Sequence, residues 1–160
     1  MDSQLPFRRV AITLATIALV ASACGGAAAT PVETIAPIAT PPPTAAADVN
    51  IDLAEWKVTA PSTLTAGQVN LVMKNSGTGE HELLVFKSDL ALSAYPKDAS
   101  GDIVEDGPGV DLVSDGENIA PGGTQTRALD LSQPGTYLFV CNIPGHFKSG
   151  MYQVVTVTAP

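Results

Sequence analysis

Histidine and cysteine are scarce in this chain, which has two residues of each type among 160. So few histidines exclude catalytic sites that hold several metal ions in histidine clusters. One cysteine, Cys24, falls in an N-terminal region of small residues, so the rest of the chain has Cys141 alone and no internal disulfide. Any metal site in the folded part that uses thiol or imidazole ligands must therefore draw them from Cys141 and the two histidines.

Basic residues are also few, with 8 lysines and arginines against 16 aspartates and glutamates and a formal net charge of −8 at pH 7. An acidic body of this kind repels nucleic acid and anionic lipid, so a nucleic-acid-binding role is excluded. The same charge suits a cationic protein partner. It is equally consistent with the simple solubility of a secreted protein.

The N-terminal apolar run is short. Val10 to Val20 has 11 residues, whereas a membrane-spanning helix needs about 20. Arg8 and Arg9 precede this run, and residues 21–23 (Ala-Ser-Ala) follow it with the small side chains of a cleavage site. The pattern predicts an export signal peptide over residues 1–23 rather than a transmembrane helix.

Cys24 directly follows the predicted cleavage site. The segment Val20-Ala-Ser-Ala-Cys resembles the lipobox of bacterial lipoproteins, although Ala21 stands where leucine is usual. Lipidation gives Cys24 a function, because a free thiol on an exported tail is a liability. We therefore expect a lipid anchor on the extracytoplasmic face of a bacterial membrane. Ordinary cleavage at the same bond, which would leave a freely soluble protein, is the alternative.

Residues 24–47 are mostly Gly, Ala, Thr and Pro, and they include three consecutive prolines from Pro41. Such a segment cannot bury enough apolar surface to offset the entropy lost on ordering. It predicts a disordered tether between the anchor and a folded domain over residues 48–160.

From Asp48 onward, short alternating apolar and polar segments are separated by turn residues. The alternation predicts strands over residues 49–53, 68–74, 81–86, 124–131, 136–143 and 151–158. Short strands at this spacing predict an all-β Greek-key sandwich or barrel. One short helix is predicted over Asp89–Tyr95, and Met73 and Trp56 are expected in the core.

Residues 98–117 contain seven acidic residues, four glycines and no basic residue. This composition predicts a solvated loop. Two alternatives are a docking surface for a basic partner and a calcium site, although the spacing of an EF-hand is absent.

Both histidines lie where they can bind the same metal ion as the single thiol of the folded part. Cys141, His146 and Met151 are equally spaced, and Pro144-Gly145 predicts a turn that brings all three to one end of the sandwich. His81 lies sixty residues before Cys141 and opens another predicted strand. Two imidazoles, one thiolate and a distant thioether are the ligands of a trigonal copper site with a weak axial sulfur, a centre that transfers single electrons.

The stretch Pro134-Gly-Thr-Tyr-Leu-Phe-Val-Cys-Asn-Ile-Pro-Gly-His-Phe-Lys-Ser-Gly-Met resembles the C-terminal signature of the cupredoxins, the small blue copper proteins. Its spacing, with four residues in each gap, is similar to that of the auracyanin, sulfocyanin and phytocyanin branches. Plastocyanins and azurins each have one shorter gap. Over residues 48–160 the resemblance implies an eight-strand Greek-key sandwich and four copper ligands, the last of them axial: His81, Cys141, His146 and Met151.

The resemblance also assigns an electron-transfer surface. In the family the second histidine projects through an apolar patch where electrons enter or leave. That histidine is His146 here, and Pro144 and Phe147 are the expected members of the patch. Tyr137 resembles the tyrosine of a Greek-key corner and is expected to be structural.

Three residues beside the ligands are candidates for supporting the copper site: Glu80, Glu82 and Asn142. Glu82 stands where many cupredoxins have asparagine or serine. Because a carboxylate is repelled by a thiolate, we expect the Glu82 side chain to point to solvent and only its N–H to support the sulfur. The carbonyl of Glu80 is expected to approach the copper from the side opposite Met151.

The sequence thus predicts an exported one-electron carrier with one copper per chain, monomeric, without enzymatic activity, and served by redox protein partners. The alternative is storage or delivery of copper outside the cytoplasm. Delivery sites usually expose several methionines and histidines for ligand exchange, whereas the chain after residue 23 has only two of each.

Overall fold

The computed structural model describes residues 46–160, which form nine strands in two sheets. In chain order the strands are β1 (Ala47–Ala54), β2 (Lys57–Thr59), β3 (Thr63–Thr65), β4 (Gln68–Asn75), β5 (Leu84–Lys87), β6 (Asp111–Ser114), β7 (Thr124–Asp130), β8 (Gly135–Val140) and β9 (Tyr152–Thr158). The strand order is β2-β1-β4-β7 in the first sheet and β3-β9-β8-β5-β6 in the second. The predicted signal peptide, Cys24 and nearly all of the predicted tether lie outside the described residues.

The all-β fold predicted from the alternation is confirmed. The six predicted strands correspond to β1, β4, β5, β7, β8 and β9, and β1 begins two residues earlier than expected, at Ala47. The sequence did not predict β2, β3 and β6, which are three or four residues long and lie at the edges of the sheets. Strands this short show too few residues for a period of two to be recognised.

Strand β8 is buried on both faces and separates two apolar clusters. Tyr137, Phe139 and Cys141 face the core between the sheets, which confirms that they share one face. Leu138 and Val140 face the other way, into a smaller cluster beneath the segment that connects β5 to β6. The end of β8 therefore delivers Cys141 into the main core.

Two residues expected to be structural are buried as predicted. Met73 is fully buried between the sheets. Tyr137 is also buried, and its hydroxyl donates a hydrogen bond to the carbonyl of Gln133 at 2.7 Å. This bond closes the turn that precedes β8, as a tyrosine corner does.

The prediction that Trp56 belongs to the core is wrong. Ala54 of β1 pairs with Lys57 of β2, so Glu55 and Trp56 form a two-residue turn, and the Trp56 side chain is 49% exposed. A turn of this length places its side chains beyond the end of the sheet rather than between the sheets.

The predicted helix over Asp89–Tyr95 is also wrong, since only a single 3₁₀ turn forms, at Leu92–Ala94. None of its residues is buried, and a short helix without packing is unstable in water. No helix within residues 46–160 is long and apolar enough to cross a membrane.

The acidic segment 98–117 is only partly a loop. It contains β6, and Asp102 is buried and accepts a hydrogen bond from the N–H of Gly145 at 2.8 Å. Within residues 46–160, its carboxylates form no group that could hold a metal ion, so the structure gives the calcium alternative no support. Part of the segment instead packs against the predicted ligand loop.

Candidate metal centre

The loop from Cys141 to Met151 joins two antiparallel neighbours, β8 and β9, whose last pair is Val140 and Tyr152. The N–H of Cys141 donates to the carbonyl of Met151 at 3.1 Å, and the N–H of Met151 donates to the carbonyl of His146 at 3.1 Å. These bonds fold the loop back on itself. They hold its three predicted ligands at one end of the sandwich.

His81 reaches the same end from the segment before β5. Its backbone exchanges two hydrogen bonds with Ile119, at 3.2 Å and 2.6 Å, as an isolated antiparallel bridge. Its side chain is fully buried. The backbone bridge therefore holds the imidazole inside the protein without the help of a metal.

The structure brings the predicted ligands together. Nδ1 of His146 lies 3.2 Å from Sγ of Cys141, and Nδ1 of His81 lies 4.0 Å from the same sulfur. One ligand atom from each of these residues lies within 4.8 Å of the others, and the two imidazole centroids are 5.3 Å apart. Met151 is fully buried in the same apolar cluster as Cys141.

Burial sets the electrostatics of these donors. It raises the pKa of the Cys141 thiol, an effect partly offset by the N–H of Glu82, which points at the sulfur from 3.4 Å. It lowers the pKa of His146, and the neighbouring His81 lowers that pKa further. The neutral imidazole of His146 is thus available as a donor, and a bound cation would favour the thiolate that burial disfavours. Neutral imidazole, thiolate and thioether together fit copper.

The comparison with known proteins agrees with this donor set. A family model described as copper binding proteins, plastocyanin/azurin family, matches residues 47–158. The chain belongs to this family. The predicted cupredoxin is confirmed and copper is its cofactor. Three of the four predicted ligands, His81, Cys141 and His146, form one group of donor atoms that could hold the metal.

Solved structures confirm the cupredoxin fold. Auracyanin from the photosynthetic bacterium Roseiflexus castenholzii is 23% identical, with a TM-score of 0.53, and the match covers 72% of this chain and 99% of that one. A rusticyanin variant is 21% identical, with a TM-score of 0.50, and the match covers 72% of this chain and 80% of that one. No curated protein sequence matches the chain.

Glu82 behaves differently from the prediction for this cupredoxin. Its N–H does point at the cysteine sulfur, but its carboxylate is half-buried and accepts a hydrogen bond from the N–H of Asn142 at 3.1 Å. Burial, with smaller contributions from repulsion by Glu105 and Asp115, raises the pKa of Glu82 to about 7. The prediction that the side chain points to solvent is wrong, because the carboxylate turns toward the ligand loop and accepts the hydrogen bond from Asn142 instead.

Asn142 connects the ligand loop to the acidic segment. Its side chain accepts a hydrogen bond from the N–H of Ile103 at 2.9 Å and donates one to the carbonyl of Ile103 at 3.0 Å. The side chain of Glu80 is exposed, and the approach of its carbonyl to the copper stays a prediction. Asn142 thus supports the position of the loop rather than the sulfur itself.

The surface beside His146 also differs from the one predicted. Pro144 is exposed there, but Phe147 is only 5% exposed and packs against Tyr152, with the ring centroids 5.5 Å apart. Phe147 is therefore not part of a surface patch. Trp56 takes that position instead, with its ring edge-on to His146 at a centroid distance of 4.8 Å.

Glu55, which the sequence did not single out, is the other residue beside the histidines. Its carboxylate Oε1 lies 3.4 Å from Nε2 of His81. Hydrogen bonds from the backbone of Gly79 and Thr78 lower the pKa of Glu55 to about 2, so the group is ionised at neutral pH. The short gap between the first two strands could have indicated a turn here, but no sequence pattern shows that this turn meets both histidines.

Proposed function

We propose that this cupredoxin is a one-electron carrier whose single copper is bound by His81, Cys141 and His146, with Met151 as the axial ligand. Copper in such a site cycles between Cu(I) and Cu(II) with little change of geometry. The observation that carries the proposal is the cluster of three donor atoms within 4.8 Å of one another, two of them on fully buried residues.

The burial of the donors supports electron transfer over other uses of copper. His81, Cys141 and Met151 have no solvent-accessible surface, so water and small molecules are kept from the sulfur and from one imidazole. An enzyme needs an open coordination position, and a delivery protein needs ligands that exchange easily. Neither requirement suits donors packed into the main core.

His146 offers the route for electrons. It is the one partly exposed member of the cluster formed with His81 and Cys141, and exposed Trp56 and Pro144 lie at the same surface. We propose that redox protein partners dock on the patch formed by His146, Trp56 and Pro144. The acidic charge of the chain suits partners with basic surfaces around their own redox centres.

The setting is proposed from the N-terminal sequence. The predicted signal peptide over residues 1–23 and the lipobox-like residues before Cys24 support export and a lipid anchor on a bacterial membrane. The carrier would then work as a monomer on a tether, on the extracytoplasmic side, between a donor and an acceptor.

Voltammetry of the copper-loaded protein tests the function. We expect a reversible one-electron wave from one copper per chain, and retention of that copper through repeated oxidation and reduction. Release of copper within minutes to a weak chelator after reduction would contradict the carrier role and support storage or delivery instead.

Replacing Trp56 with alanine is expected to slow electron self-exchange about fivefold, because truncating an aromatic contact residue costs an interface on the order of 1 kcal/mol. Line broadening in NMR spectra of mixed Cu(I) and Cu(II) protein measures the rate. Val154→Ala is a matched control, since Val154 is also an exposed large apolar residue but lies on β9. Equal rates of electron self-exchange in the two variants would show that Trp56 is not part of the docking patch.

A further inference from the structure

The carboxylate of Glu55 is held in place by the segment that precedes His81. Its Oε1 accepts hydrogen bonds from the N–H groups of Thr78 at 2.7 Å and Gly79 at 2.6 Å, and from the hydroxyl of Thr78 at 3.2 Å. Three donors on one oxygen fix the position of the side chain, although Glu55 itself lies in an exposed turn. The position of the carboxylate beside His81 is therefore fixed by the fold.

The same oxygen faces the outer nitrogen of His81. Because Nδ1 of His81 faces the cysteine sulfur, a neutral imidazole that donates its lone pair there carries its proton on Nε2. That N–H is buried and has no well-formed hydrogen bond within residues 46–160, and the Glu55 carboxylate at 3.4 Å is an acceptor in reach. A buried N–H without an acceptor is costly, so this pairing favours one tautomer and one ring orientation.

Gly77 makes this approach possible. A Cβ atom at this position would lie 2.7 Å and 2.8 Å from the two carboxylate oxygens of Glu55 and 2.8 Å from Nε2 of His81. Real Cβ atoms do not come so close to other atoms, so any other residue would separate the carboxylate from the imidazole or move both. Glycine at 77 leaves the gap between them open.

We propose that Glu55 is a positioning residue of the copper centre. Its carboxylate holds the His81 ring with Nδ1 toward the sulfur. The negative charge of the carboxylate, close to the outer nitrogen Nε2, makes the imidazole a stronger donor to a metal at Nδ1. A stronger donor stabilises Cu(II) relative to Cu(I) and lowers the reduction potential. This inference rests on the proposed role of His81 as a ligand.

The reduction potential of Glu55→Gln tests the charge. Glutamine can still accept the hydrogen bonds from residues 78 and 79, so the fold is retained while the charge is removed. We expect the equilibrium constant for reduction to rise about threefold to tenfold, which corresponds to roughly 30 to 60 mV for one electron. The matched control is Asp52→Asn, which removes the same charge from β1 and keeps an acceptor for the hydroxyl of Ser76.

Nitrogen-15 NMR of the metal-free protein tests the positioning without copper. The parent is expected to show His81 as the Nε2–H tautomer alone, whereas Glu55→Ala and Gly77→Ala should show a mixture of tautomers. Gly79→Ala is the control for the glycine substitution, because a Cβ there would lie 3.4 Å from Glu55, an ordinary contact.

The outcomes separate this inference from the proposed function. If the parent binds copper and shows a reversible potential, but Glu55→Gln shifts that potential no more than Asp52→Asn and the His81 tautomer is unchanged in Glu55→Ala, then the inference is wrong and the carrier role stands. If the parent itself forms no type 1 copper site, the proposed function is wrong, and the inference about Glu55 is wrong with it.

Discussion

Replacing Cys141 with serine is expected to lower the affinity for copper by more than about 100-fold. Loss of a residue that only supports a ligand costs roughly 10-fold to 100-fold in affinity, and Cys141 supplies the one thiolate of the proposed site. The serine hydroxyl has a similar size, so the fully buried position remains filled and the fold is retained. Competition with a chelator of known affinity measures the change.

The control for this substitution is Met73→Leu. Met73 lies fully buried in the same apolar cluster as Cys141 but is not a predicted ligand. A swap of methionine for leucine conserves volume and typically costs less than about 1.5 kcal/mol of stability. We expect its copper affinity to equal that of the parent. Copper binding by Cys141→Ser with unchanged affinity would exclude the sulfur as a ligand.

Loading with copper is expected to raise the midpoint of thermal unfolding by about 12 to 20 °C. A ligand present at 1,000 times its Kd adds about 4.1 kcal/mol to the free energy of unfolding, and each kcal/mol shifts the midpoint of a domain of this size by roughly 3 to 5 °C. The metal would join His81 to the loop from Cys141 to Met151, sixty residues away in the chain. Copper held only by one local segment would stabilise the fold less.

Scanning calorimetry of the reduced, copper-loaded protein under anaerobic conditions measures this shift. Cys141→Ser serves as the reference, because it tests whether added copper stabilises the protein without the thiolate. A midpoint that rises no further in the parent than in this variant would contradict a metal that bridges the two segments.

The ligand loop could be predicted from the sequence because its information is local. Period-two alternation through Tyr137 and Phe139 fixes the direction of Cys141, and Pro144-Gly145 indicates the turn that follows. His81 could be added because the chain contains no third histidine. Chemistry of the residue types, rather than the fold, limited the choice to copper.

The surroundings of the site could not be predicted, because they depend on contacts between distant segments. Trp56 meets His146, and Glu55 meets His81, only after the turn between β1 and β2 has been placed at the ligand end of the sandwich. Aromatic character alone suggested a core position for Trp56. Its place in a two-residue turn outweighed that tendency, since side chains there lie beyond the sheet.

The error at Glu82 has a different physical origin. The prediction weighed the repulsion between a carboxylate and a thiolate but not the hydrogen bond available from Asn142, nor protonation of the carboxyl group. With a pKa raised to about 7, Glu82 can stay half-buried near Cys141 because it is partly neutral. Charge states near a desolvated site therefore follow from the packing and are poorly predicted from residue type.

The absorption spectrum of the oxidised protein during titration with Cu(II) tests the central claim most directly. If Cys141, two imidazoles and Met151 surround one ion, an intense thiolate-to-copper band should grow toward the red end of the visible range and saturate at one copper per chain. The same titration of Cys141→Ser should give no such band. A parent protein that binds copper with only the weak colour of a site without thiolate would contradict the account.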